Sequence, residues 1–216
     1  SRADYPYSTL GGPEGKAINP GFAGDQVMTA ENFAKLTNPN FAYTPFVPRA
    51  ERNVKTPAWL NDLDYYHNRG NTTFKGENST MGDFVGLDDL YTENPRVLQG
   101  MIDIYGDWID QFGIDGFRID TARHVNPEFW GPFSRAMIER AKAKGIPNFH
   151  IFGEVANDGD AGDLALHTRV HELPTVLDFA FRAAVQQTVA GDKGTDVLAN
   201  LFVRDALYEG GEATAL

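Results

Sequence analysis

Gly113-Ile114-Asp115-Gly116-Phe117-Arg118-Ile119-Asp120 is the stretch on which the fold turns. A glycine closes one element, an apolar run short enough for a buried strand follows, and an acid stands at its end. On the amino-terminal side, Val97, Leu98, Met101, Ile102, Tyr105, Trp108, Ile109 and Phe112 recur at helical spacing. Asn94-Pro95 precedes them as an N-cap with proline in the first helical position. The spacing therefore predicts a helix over 94–112 and a strand from Ile114 to Ile119. On the carboxy-terminal side the pattern repeats. Asn126-Pro127-Glu128 opens a second helix carrying Phe129, Trp130, Phe133, Met137 and Ala141 on one side, with Gly145 and Pro147 ending it. A strand over Phe149–Phe152, a third at Thr175–Leu177, and helices near Phe181–Val189 and Asp196–Tyr208 complete the reading. Helices alternating with short buried strands indicate an α/β fold with a parallel sheet, either successive units of a barrel or an open doubly wound sheet.

Two of these strands end in acids, Asp120 and Glu154, 34 residues apart. In a parallel sheet both carboxy-terminal ends lie on one rim, where α/β enzymes place their chemistry. Neighbouring strands run about 4.8 Å apart, so the carboxyls are expected roughly 5–5.5 Å from each other. At that separation one carboxylate can attack a sugar while the other protonates the leaving oxygen. Arg118 shares a strand face with Asp120 and would favour its ionised form, whereas burial behind an apolar strand would raise Glu154. A purely structural ion pair between Arg118 and the acids is the competing reading at this point.

Composition narrows the function. The net charge of −11 argues against nucleic acid as partner and against docking on an anionic membrane surface. Absence of cysteine removes disulfides, thiolate metal sites and a thiol nucleophile. The compartment stays open on these grounds, with a secreted or periplasmic one preferred. Seven of the twelve prolines fall within the first 57 residues, and the sequence before residue 90 is weakly periodic. That stretch reads as loop-rich, with short strands near Phe41–Val47. Other signals fail on inspection. Gly11–Lys16 lacks the glycine spacing and hydroxyl of a phosphate loop, and Thr168 stands between His167 and His171 where a zinc protease needs glutamate. The two histidines read as a polar face. Asn71-Thr72-Thr73 and Asn78-Ser79-Thr80 match a glycosylation pattern that is common by chance. Trp59, Tyr65, Tyr66 and Phe74 are candidates for stacking on sugar rings or for a core.

The segment Gly113 to Ile119, extended through Asp120-Thr121-Ala122-Arg123-His124, closely resembles the nucleophile signature of glycoside hydrolase family 13, the α-amylase family. Phe152-Gly153-Glu154-Val155 resembles that family's acid/base segment, and Gly86-Leu87-Asp88-Asp89-Leu90 a third, shorter one. The resemblance implies a partial (β/α)8 TIM barrel with an inserted loop-rich subdomain. Residues 1–85 would be the insertion, and 86–216 the central part of the barrel with its fourth to sixth strands. It implies Asp120 as nucleophile, Glu154 as acid/base and Arg118 as the residue that holds and polarises the nucleophile. Arg123 and His124 would form a basic pair lining the leaving-group side of the cleft, although the family often has lysine where Arg123 stands. A structural Ca²⁺ would take an oxygen from Asp89 and the main-chain carbonyl of His124, hard ligands suited to it.

The implied activity is retaining hydrolysis of α-1,4-glucans such as starch, glycogen and maltooligosaccharides. A transglycosylase or cyclising glucanotransferase, or a non-catalytic glucan-binding relative, is the alternative. The remainder of the barrel is expected in the parent protein. It would include an Asn-His segment upstream and an His-Asp segment downstream, whose aspartate would clamp the sugar hydroxyls. On that basis the isolated 216-residue piece is expected to be inactive.

Overall fold

From Pro95 onward, helices alternate with short parallel strands, as the spacing of apolar residues predicts. The computed structural model describes residues 9–10, 16–17, 29, 31, 47–68, 72, 74, 78–84 and 87–208. The chain divides into two compact units, Ser1–Val97 and Leu98–Leu216.

In the first unit, β1 (Thr9–Leu10) pairs antiparallel with β2 (Lys16–Ala17). The short strands expected near Phe41–Val47 lie outside the described residues, Val47 apart. Residues 49–65 form a run of 3-10 turns held by side chains rather than by ladders. The buried Tyr66 donates its hydroxyl to the Leu60 carbonyl at 2.6 Å and accepts from Lys55 Nζ at 2.9 Å. Trp59 meets the edge of Tyr65, and the Arg96 guanidinium stands over its ring. A single helical turn, α1 (Asn78–Met81), follows.

The longest helix, α2 (Pro95–Phe112), starts where Asn94 Oδ1 accepts from the Arg96 amide at 2.8 Å. It stops at Gly113, whose φ of 62° suits glycine. Its Ile109 is fully buried, and Leu98, Met101 and Ile102 pack beside it. Trp108 and Phe112, expected on the same apolar face, are largely exposed and lie against each other instead, with ring centroids 5.1 Å apart. They flank Ile109 at positions one before and three after it. At about 100° per residue, both are turned to the side of the buried stripe.

Strand β3 (Gly116–Ile119) comes next, two residues shorter at its start than predicted. The Pro127–Phe129 segment is a 3-10 turn that leads into α3 (Trp130–Ala143). Trp130, Phe133, Met137 and Ala141 bury the face that the sequence marks as apolar. Gly145, at φ 81°, follows its end. Strand β4 (His150–Gly153) lies between β3 and β5 (Thr175–Val176), parallel to both. The register pairs Gly116 with His150 and Ile119 with Gly153. Gly116 is required by this pairing, since a Cβ there would sit 2.2 Å from the His150 carbonyl oxygen.

Between β4 and β5 runs α4 (Ala161–Arg169), a helix absent from the sequence reading. Asp160 caps it by accepting from the Gly162 amide at 2.9 Å. Ala161, Leu164, Ala165 and Thr168 form its buried face. His167, expected on a polar surface, is buried there too, its Nδ1 bonded to the Asp163 carbonyl at 2.9 Å, and its ring meets His171 edge-on. The two last helices break earlier than predicted. After α5 (Phe179–Val185) comes a π-helical turn over Gln186–Ala190, and after α6 (Asp196–Phe202) a 3-10 stretch to Tyr208. Among the described residues no helix is long and apolar enough to cross a membrane.

The core of the second unit lies between the sheet and α2, α3 and α4. Exposed Tyr105, with Phe117, Phe133 and Phe149 join in it as edge-to-face pairs, and Phe129 stacks on Phe133 at 4.8 Å. An ion cluster ties α2 to α3, with Arg140 Nε donating to Asp110 at 2.8 Å and Lys144 Nζ 3.7 Å from the same carboxylate.

Candidate active site

The β3–β4 ladder continues one step past the strands, where the Glu154 amide donates to the Ile119 carbonyl at 2.8 Å. That bond sets Asp120 and Glu154 level with each other on the carboxy-terminal rim of the sheet. Their carboxyls are close enough together for one guanidinium to reach both.

Arg118 forks across the pair. Its Nη1 lies 3.2 Å from Asp120 and its Nη2 3.1 Å from Glu154. Strand period places Arg118 on the face of Asp120; the reach to the neighbouring strand is set by the length of the guanidinium arm and could not be read from that period. The hydrogen bond from Glu154, and after it the charge and hydrogen bond of Arg118, hold the Asp120 carboxyl below the usual aspartate range. Asp120 is open to solvent, with 72% of its side chain exposed, whereas Glu154 is 25% exposed. The environment thus separates an accessible carboxylate held low from a more enclosed one beside it.

The turn after Asp120 is strained. Thr121 has φ 50° and ψ 32°, a left-handed conformation that a β-branched residue rarely adopts. In that conformation its amide points back at the pair, donating to Glu154 Oε2 at 3.4 Å and helping to hold Asp120 low. Ala122 behind it is fully buried, and Gly153, just before Glu154, packs onto it. A Cβ on Gly153 would lie 2.8 Å from Ala122 Cβ and 2.5 Å from Leu173 Cδ2. The glycine of the Gly-Glu-Val tripeptide is there for close packing.

Arg123 and His124 follow in a 3-10 turn, with the His124 amide on the Thr121 carbonyl at 2.9 Å. The Arg123 guanidinium donates to the Ala156 carbonyl and stands 3.8 Å from Asp163.

Asp89, the candidate calcium ligand, belongs to an acidic cluster in the first unit. Its Oδ2 lies 2.5 Å from His67 Nδ1, and His67 Nε2 is 3.0 Å from Glu93. Burial works against charge on His67, but the hydrogen bond and charge of Asp89, then those of Glu93, outweigh it and raise the imidazole. Asp83, whose Oδ1 accepts from the Asp89 amide at 3.0 Å, is pushed up to about 7 by burial, with Asp88 and Asp89 adding to the effect. Carboxylates crowded in this way suit a hard divalent cation in donor chemistry. Among the described residues, however, no three histidine, cysteine or acidic side chains are arranged to hold one.

Parallel β/α units with an acid pair at the strand tips define an α/β barrel segment bearing a carboxylate-pair site. The Alpha-amylase family model, described as the alpha amylase catalytic domain, matches residues 30–209. The chain belongs to that family. It is 40% identical over 215 residues to an alpha-amylase of Streptomyces lividans, a match covering all of this chain and 23% of the relative. It is 31% identical over 143 residues to a cyclomaltodextrin glucanotransferase of Klebsiella oxytoca, covering 60% of this chain and 21% of the relative. Among solved structures, an Anoxybacillus alpha-amylase superposes with a TM-score of 0.60 at 30% identity, over 72% of this chain and 34% of that one. An acarbose complex of a Geobacillus thermoleovorans alpha-amylase gives 0.59 at 29% identity, over 71% and 34%. The chain therefore spans about a quarter of the Streptomyces relative and about a third of these structures. The fold is part of a (β/α)8 barrel rather than of an open doubly wound sheet.

Proposed function

We propose that this chain carries the nucleophile and the acid/base of a retaining hydrolase of α-1,4-glucans. The observation that carries this reading is the Arg118 fork across two carboxyls set level at neighbouring strand tips. In the first step the Asp120 carboxylate attacks the anomeric carbon while Glu154 gives its proton to the departing glycosidic oxygen. The carbon–oxygen bond breaks and a glycosyl ester of Asp120 forms. In the second, Glu154, now a carboxylate, takes a proton from water as the water oxygen attacks the same carbon and releases Asp120. Two inversions give net retention. His124 is assigned to the leaving-group side of the cleft.

The substrate class rests on the alpha-amylase relatives and on the acarbose complex of a structural neighbour. Similarity to the Klebsiella glucanotransferase favours one second reading, transfer to a sugar acceptor on the same carboxylates. Products separate the two, because hydrolysis yields new reducing ends and transfer yields cyclic or lengthened oligosaccharides. The full-length protein with Asp120→Asn or Glu154→Gln should lose at least about a thousandfold in kcat on a maltooligosaccharide while keeping its circular dichroism spectrum. Near-normal rates in either variant would end the assignment. Calcium enters as a structural ion of the first unit with Asp89 as one ligand, supplying charge to offset the crowded acids. No catalytic step runs through it.

A further inference from the structure

Within this reading, we infer that Arg123 is a positioning residue for Glu154, acting as a latch that extends the sheet past its last ladder bond. Ladder hydrogen bonds fix the two carboxyl-bearing residues only up to Glu154 N on Ile119 O, at 2.8 Å. Beyond that point the Glu154 loop has left the sheet, and something else must hold it at its angle to Asp120. Three residues past Asp120, the Arg123 guanidinium donates to the carbonyl of Ala156, two residues past Glu154. Its Nη2 stands 3.8 Å from Asp163, on the first turn of α4. Asp163 in turn accepts from Asn157 Nδ2 at 3.0 Å, and Asn157 also reaches the Asp160 carbonyl at 3.0 Å and accepts from the Gly159 amide at 2.9 Å. The loop from Glu154 to Asp160 is thus pinned at its middle by one residue of the nucleophile turn.

Below the latch, Ala122 and Val155 are completely buried, so the two arms are also packed at their roots. A planar fork can serve a carbonyl and a carboxylate at once, which a single ammonium cannot do with the same geometry. Arg123 therefore acts on the reaction through Glu154, without touching the sugar.

The test is steady-state kinetics of the full-length protein on a maltooligosaccharide, comparing Arg123→Gln, Arg123→Lys, Asp163→Asn and the double variant Arg123→Gln/Asp163→Asn. Misplacing an acid/base by about 1 Å costs up to about a hundredfold. Arg123→Gln should lower kcat about ten- to a hundredfold, with KM within about twofold. Asp163→Asn, which sits on α4, should show a smaller loss of the same kind, and Arg123→Lys should recover part of it. The double variant should be no worse than Arg123→Gln, because both changes open one device. The acidic limb of the kcat/KM profile should also move, since the placing of Glu154 beside Asp120 helps to hold the Asp120 carboxyl low. A rise in KM at unchanged kcat, or a pH profile identical to wild type, would overturn the latch and make Arg123 a substrate contact. Glu154→Gln measured in parallel separates the two levels. If it keeps turnover, the proposed function falls. If it loses turnover while the Arg123 and Asp163 variants keep kcat and pH profile, only the latch falls.

Discussion

Arg118 does two jobs with one side chain, because its two terminal nitrogens reach carboxyls on different strands. Its contribution to Asp120 has a definite sign. Asp120 is held below the ordinary aspartate value of about 3.9, so the proposed nucleophile stays ionised as pH falls through the range where a free carboxylate would protonate. The low-pH arm of kcat/KM is accordingly expected below about pH 4. Arg118→Gln removes the charge, should move that arm upward, and should cost about a hundredfold or more in turnover. A pH–rate profile of the variant decides it, and an arm that stays in place would show Arg118 to be irrelevant to the ionisation. At this scale the sequence was informative about identity and poor about reach. Asp120 and Glu154 stand out because each ends an apolar strand, and period two puts Arg118 beside Asp120. Contacts such as Arg118 on Glu154 or Arg123 on Ala156 depend on long side chains crossing to another segment. No local spacing encodes them.

Elements with strong apolar periodicity were legible and those held by capping or ion pairs were not. Helices α2 and α3 and all three parallel strands lie where the pattern puts them, because each buries a continuous stripe. The nine-residue α4 was overlooked although Ala161, Leu164, Ala165 and Thr168 keep helical spacing. Its stripe has one leucine among two alanines and a threonine, and its start rests on the Asp160 cap. The join of α2 to α3 through Arg140 has a testable pH dependence. The hydrogen bond from Arg140, with its charge and that of Lys144, holds Asp110 below the ordinary carboxylate range. A depressed carboxylate stabilises the fold above its unfolded value, and the contribution disappears as pH falls through the folded value. Arg140→Gln should therefore lower the thermal midpoint at pH 7, and the gap to wild type should close below about pH 3. A gap independent of pH would mean that Arg140 works through packing of its stem alone.

At the scale of the whole molecule, charge and strain set the terms. The chain carries a net charge of −11, and Asp83, Asp88, Asp89 and Glu93 concentrate part of it in the first unit. If a calcium ion offsets that crowding, a chelator should lower the melting midpoint of the full-length protein. Saturation at a hundred times the dissociation constant is worth about 2.7 kcal/mol. Asp89→Asn should make the midpoint indifferent to added calcium, and an unchanged calcium response in that variant would remove Asp89 from the site. The left-handed Thr121 has a different consequence. A β-branched residue there holds conformational energy of about 1–3 kcal/mol, which asparagine or glycine would release. The energy held at position 121 thus keeps one backbone amide trained on the Glu154 carboxyl rather than on water.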